Sequence, residues 1–115
     1  MARSIEQKPW TPTEEKIRAA TERIAREFDP LKVILFGSCA RGDLDPDSDV
    51  DVLVVLDEIE DAREKAAAIR RSLRGLSLFI DIVVATPDQI SRVMGTVNSV
   101  LATAVREGKT LYDRE

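Results

Sequence analysis

The sequence predicts an α/β domain. Three observations carry this: apolar runs of strand length at Val33 to Phe36, Val50 to Leu56 and Leu76 to Ala85, helix-period segments between and around them, and turn or capping residues at each junction. At 115 residues the chain reads as one domain over 1–115, with residues 1–10 as a polar N-terminal arm and no internal repeat or linker.

The first helix is expected to start at Thr11, Pro12, Thr13 and Glu14, with Thr11 as N-cap, Pro12 at the first helical position and Glu14 three residues after the cap. Ile17, Ala20, Ile24 and Phe28 then recur at helical spacing, and Pro30 ends the run. Val33 to Phe36 follows as a buried strand bounded by Gly37 and Ser38. Val50 to Leu56 is a second strand, interrupted only by Asp51.

A charged, alanine-rich stretch from about Asp57 to Arg74 carries Ala62, Ala66, Ile69 and Leu73 on one face and is closed by Gly75, which predicts an amphipathic helix. Its charges from Glu58 to Arg74 read as a solvated face. Leu76 to Ala85 is the third strand, again interrupted by one acid, Asp81. Thr86 to Gln89 repeats the helix-start chemistry, Gly108 stops the helical stretch before it, and Thr110 to Tyr112 adds a short edge strand, with Tyr112 packed at that edge.

Composition narrows the chemistry. Apolar residues make up 43% and charged residues 33%, a globular balance, and no apolar run approaches the roughly 18 residues of a membrane span. A lone cysteine, Cys39, and an N-terminus without an apolar leader make a reducing cytoplasm the expected compartment. The net charge of −4 argues against a chain that grips nucleic-acid backbone directly. With no histidine, Ser-His and Cys-His nucleophile schemes and the usual zinc sites are excluded. What remains is carboxylate, lysine, arginine and hydroxyl chemistry.

Aspartate occupies every second position from Asp43 to Asp51. Asp43, Asp45 and Asp47 read as solvated loop residues, with Asp47 and Ser48 shaping the turn into the strand. Asp49 and Asp51 stand at the start of the second strand and point to the same side, roughly 6.6 to 6.8 Å apart in backbone rise. Asp81 meets them if the second and third strands are neighbours. Carboxylates at ~6 Å and an effective dielectric of about 20 repel by roughly 3 kcal/mol, which a divalent cation, or two, would remove. All-oxygen ligands favour Mg²⁺ or Mn²⁺. The blander reading places the acids on the rim, in structural salt bridges with some of the 17 Lys and Arg. A calcium loop is a weaker alternative: Asp47, Asp49, Asp51 and Glu58 fit its spacing, but Val52 stands where that loop needs glycine.

Gly37 to Gly42 lies between the first strand and the acids. Gly37 allows close backbone approach, Ser38 offers a hydroxyl and Arg41 a cationic fork suited to phosphate. Cys39 lies in the same loop but has no neighbouring base to make it a nucleophile, and reads as a small packing residue. Trp10 and its arm dock either on this chain or on a partner, and the sequence does not choose.

Gly37 and Ser38, then ten residues, then Asp49-Val50-Asp51, with Asp81 on a later strand, resemble the nucleotidyltransferase superfamily that includes DNA polymerase beta, and within it the minimal nucleotidyltransferases. The resemblance runs from the first helix to Tyr112; family members often have Arg or Tyr where this chain has Cys39. It implies a nucleotidyltransferase fold, a small mixed sheet of three to four strands flanked by about four helices. It also implies that Asp49, Asp51 and Asp81 hold two Mg²⁺ (or Mn²⁺) and carry catalysis, while Gly37, Ser38 and Arg41 hold the triphosphate of ATP. Small members resembling this chain are commonly antitoxins paired with a helical HEPN-type ribonuclease toxin and transfer AMP to its tyrosine. The implied partners are such a toxin and a nucleoside triphosphate, with homo- or hetero-oligomers open and no membrane. At 115 residues there is little left over for a second substrate domain, which fits an acceptor supplied in trans. Two alternatives are transfer to a small hydroxyl compound and a binding module that acts by occlusion.

Overall fold

The chain is described by a computed structural model over residues 10–42, 49–97 and 99–114. Helix α1 spans Glu14–Phe28, β1 Lys32–Phe36, a 3₁₀ turn Ser38–Arg41, β2 Val50–Val55, α2 Ala62–Ser72, β3 Ile80–Ala85, α3 Pro87–Val93, α4 Val100–Glu107 and β4 Lys109–Asp113. The fold is mixed α/β, as the alternating pattern implies. The four strands form one sheet in the order β3-β2-β1-β4; β1 is antiparallel to both β2 and β4, and β2 is parallel to β3.

The period-2 alternation of the strands serves two apolar layers. Val33 and Leu35 of β1, Val52 and Val54 of β2 and Ile82 of β3 pack with Ile17, Ala20 and Ile24 of α1, with Ile69 of α2 and with Leu73, the C-cap residue of α2. Residues of the other parity, Ile34, Leu53, Val55 and Ala85, pack with Ala104 of α4. Leu53 and Val33 are fully buried, which explains why the β1 and β2 runs carry apolar residues at both parities.

Several boundaries differ from the expectation, each for a local reason. The cap of α1 is Thr13, whose hydroxyl accepts from Lys16 N at 3.1 Å, so Thr11 is not the N-cap and Pro12 lies before the helix as a fully buried residue. Lys16 Nζ donates to the carbonyls of Thr11 (2.9 Å) and Ser77 (3.2 Å), tying this lead-in segment to the approach to β3. The helix ends at Asp29, in the left-handed region at φ 46, just before Pro30. α2 begins at Ala62 rather than near Asp57 because Asp61 caps it, accepting from Glu64 N at 3.2 Å; Ala62 in its first turn is exposed, while Ile69 and Leu73 are buried.

The third strand starts at Ile80, not Leu76. Gly75 and Ser77 both have positive φ, 91 and 54, and break the extended run, while Leu76 and Leu78 still pack against the core. The helical stretch before Gly108 is two helices: Thr86 and Gln89 form a capping box for α3, and Ser99 caps α4 by accepting from Ala102 N at 3.2 Å. Gly108 ends α4 where a Cβ would stand 2.5 Å from Ile34 Cγ2, so the chain turns into β4 directly against β1. Tyr112 lies on β4 at the sheet edge, partly buried against the core, as expected. Among the described residues no helix is long and apolar enough to cross a membrane.

Candidate active site

The acids gather at one end of the sheet. Asp51 and Asp81 are paired across the parallel β2–β3 ladder, so their Cα atoms share a rung and their strands are about 4.8 Å apart. By parity both belong to the sheet face of Leu53, Val83 and Ala85, the face covered by α4. Asp49 stands one residue before β2 and is exposed. Phe36, the last residue of β1, is opposite Asp51 in the antiparallel register and packs with the apolar layer beneath the acids.

The three carboxylates act on one another. Burial raises the Asp51 pKa above its ordinary 3.8, and the charges of Asp81 and then Asp49 raise it further. Among the described residues no Lys or Arg forms a salt bridge with any of the three, so the rim reading with structural ion pairs finds no support. Among the described residues the charge of this acidic locus has no Lys or Arg partner.

Gly37 adjoins it directly. Its backbone, at φ 76 and ψ −158, is in a region essentially reserved for glycine, and a Cβ there would lie 2.5 Å from Asp51 Oδ2. Ser38 opens the 3₁₀ turn and is half-buried; Arg41 closes it and is exposed. The turn is held internally by Ala40 N donating to Gly37 O and Gly42 N to Cys39 O, both at 3.1 Å. Cys39 is 5% exposed, and its Sγ donates to the Asp49 carbonyl at 3.5 Å, pinning the turn to the start of β2. Its role is therefore packing and anchoring.

The structure thus brings Gly37, Asp51 and Asp81 together, with Asp49 beside them; Arg41 reaches none of the acids among the described residues. Also among the described residues, no three or more His, Cys, Asp or Glu form a closed cluster able to hold a metal ion unaided. Of the three acids expected to meet, Asp51 and Asp81 share a rung, and Asp49 acts on Asp51 through its charge from one residue before β2. An all-oxygen donor set without a Lys or Arg partner among the described residues fits a hard divalent cation completed by phosphate, since Mg²⁺ is commonly held by one or two carboxylates plus phosphates. Asp43, Asp45, Asp47 and Ser48, like residues 1–9 of the arm, lie outside the described residues.

Grooves of about 730 and 600 Å³ lie elsewhere: one between α1, the 3₁₀ turn and β4, the other between α3, α4 and β1. Neither includes Asp49, Asp51 or Asp81. Sequence reasoning assigns no role to Phe36 or Phe79. The available signal for Phe79 is its parity, since a large apolar residue two before Asp81 falls on the alternation of the acid rather than of the core.

Residues 16–108 match the nucleotidyltransferase domain family, which covers the turn, all three acids and most of the fold. The chain belongs to that family. Over 53 residues it is 49% identical to a Methanocaldococcus jannaschii protein named "Putative protein adenylyltransferase MJ0141"; the match spans 46% of this chain and 52%, about half, of that relative. The fold is also similar to the crystal structure of a nucleotidyltransferase, titled as putative, from Sulfolobus solfataricus. The TM-score is 0.60 at 24% identity, over 87% of this chain and 79% of that one.

Proposed function

We propose that this nucleotidyltransferase domain moves a nucleoside monophosphate, AMP from ATP, onto a hydroxyl of a protein. The observation that carries the reading is the Asp51–Asp81 rung with Gly37 packed on the Asp51 carboxylate. It sets a phosphate-type turn against an acidic pair that has no cationic partner among the described residues. The family match and the 49%-identical relative named as a protein adenylyltransferase support the same chemistry.

Two divalent cations, Mg²⁺ or Mn²⁺, held by Asp49, Asp51 and Asp81 together with phosphate oxygens, would neutralise the triphosphate and polarise its α-phosphorus. Ser38 and the Gly37 backbone hold the β and γ phosphates on the β1 side, and Arg41 adds positive charge there. The acceptor oxygen forms its bond to the α-phosphorus as the bond to the bridging oxygen breaks. Pyrophosphate departs with that electron pair, and Asp81 takes the acceptor proton. Gly37 keeps the turn close enough to Asp51 that phosphates and acids share one small volume.

Within this reading the acceptor is a tyrosine of a helical HEPN-type ribonuclease toxin, and the chain is its cytoplasmic antitoxin; this part rests on the resemblance of the motif to antitoxin-type minimal nucleotidyltransferases. The test is intact-mass analysis of a co-expressed helical partner after incubation with ATP and Mg²⁺. A gain of one AMP that disappears with Asp51→Asn is expected. Silencing of the partner by Asp51→Asn as fully as by the native chain would replace transfer with occlusion.

A further inference from the structure

Phe79 is a large aromatic residue left 53% exposed beside the acidic rung. The β2–β3 ladder reaches back one step beyond Ile80: Val50 N donates to Phe79 O at 2.8 Å, which sets Phe79 across from Asp49 just as Asp81 is across from Asp51. Along the chain Phe79 has the parity of Asp81, whereas Ile80 and Ile82 pack into the α1–α2 core. Trp10 stacks on Phe79 with ring centroids 5.6 Å apart at an interplanar angle of 41°. The segment carrying Trp10 is tied to this place through Lys16, which bridges the carbonyls of Thr11 and Ser77. Two aromatic rings are therefore held at the acid end of the sheet.

Sheet order decides which substrate they face. The Gly37 turn follows β1, on one flank of Asp51, and β3 is on the other. Pyrophosphate leaves on the flank that holds the β and γ phosphates. In-line displacement brings the acceptor from the opposite flank, which is β3.

We infer that Phe79, backed by Trp10, is the acceptor platform of the site and selects a hydroxyl carried on a flat aromatic ring, the phenol of a tyrosine side chain. Offset or edge-on stacking against Phe79 orients the phenol oxygen toward Asp81, whereas an aliphatic serine or threonine hydroxyl gains nothing from the ring.

The inference rests on the transfer reading above but is read without turnover, so the two fail separately. Trp10 is the chain's single tryptophan, and its fluorescence reports directly on the platform. With Mg²⁺ and a non-hydrolysable ATP analogue present, N-acetyl-tyrosinamide is expected to change Trp10 emission saturably, and N-acetyl-serinamide is not. Phe79→Ala should weaken the tyrosinamide response roughly threefold to tenfold, and Phe79→Tyr should restore it, with melting curves confirming that both variants fold. Equal responses to the two amides would overturn the inference. So would a Phe79→Ala variant that loses affinity for the ATP analogue instead, because the platform would then hold the nucleobase. Loss of AMP transfer in Asp51→Asn tests the transfer reading alone.

Discussion

The Cβ that Gly37 lacks would stand 2.5 Å from Asp51 Oδ2. Space and backbone conformation therefore demand glycine at the same position, and the carboxylate it would displace is the one at the centre of the acidic locus. Gly37→Ala is expected to lose about 1 to 3 kcal/mol from backbone strain, with the displacement of Asp51 added to it. Denaturant unfolding measures the first effect and AMP transfer the second. A variant with native stability would contradict the backbone assignment.

Asp51 should cost stability while serving function. Its pKa is raised above 3.8 in the folded chain, so in the pH range between 3.8 and the raised value the folded state holds more protons than the unfolded one. Its contribution to stability is complete below 3.8 and is lost as pH rises through the folded pKa. At neutral pH and without divalent cations, Asp51→Asn should therefore melt higher than the native chain, with the gap closing in acid. Transfer should be abolished. A lower melting point for Asp51→Asn at neutral pH would show that the carboxylate is compensated by something other than a bound cation.

Thr13 and Thr11 separate cleanly. Thr13 accepts from Lys16 N, so Thr13→Ala should cost about 0.5 to 2 kcal/mol and Thr13→Ser little. Helix capping kept in Thr13→Ala and lost in Thr11→Ala, read from helical circular dichroism, would return the cap to the position the sequence pattern suggests.

Cys39 should resist alkylation. At 5% exposure, with Sγ bonded to the Asp49 carbonyl, it should react with iodoacetamide only as the chain opens. Fast labelling of the folded protein would place the thiol on the surface and release the turn from β2.

The strands were legible because both faces of β1 and β2 are buried, which leaves nearly unbroken apolar runs, and the acids were legible because they interrupt such runs. The boundaries were less so. Thr11-Pro12-Thr13 offers two hydroxyls as caps, and only tertiary burial of Pro12 decides between them. The Leu76–Phe79 segment reads as strand by composition, while Ser77 adopts a left-handed backbone that composition does not signal. At the site, spacing along one strand predicts that Asp49 and Asp51 share a side, but the meeting with Asp81 depends on β3 lying parallel beside β2. The placement of Phe79 is not legible in the sequence, because its exposure follows from where the ladder ends.

The shared rung of Asp51 and Asp81 works as a ruler. The gap between those strands is fixed by backbone hydrogen bonds, which every sequence compatible with this sheet must make. Side chains on α3, α4 and the approach to β3 can drift without altering it. Under the proposed transfer mechanism, a change of acceptor can come from what surrounds the rung, while the spacing of the two acids is inherited from the main chain.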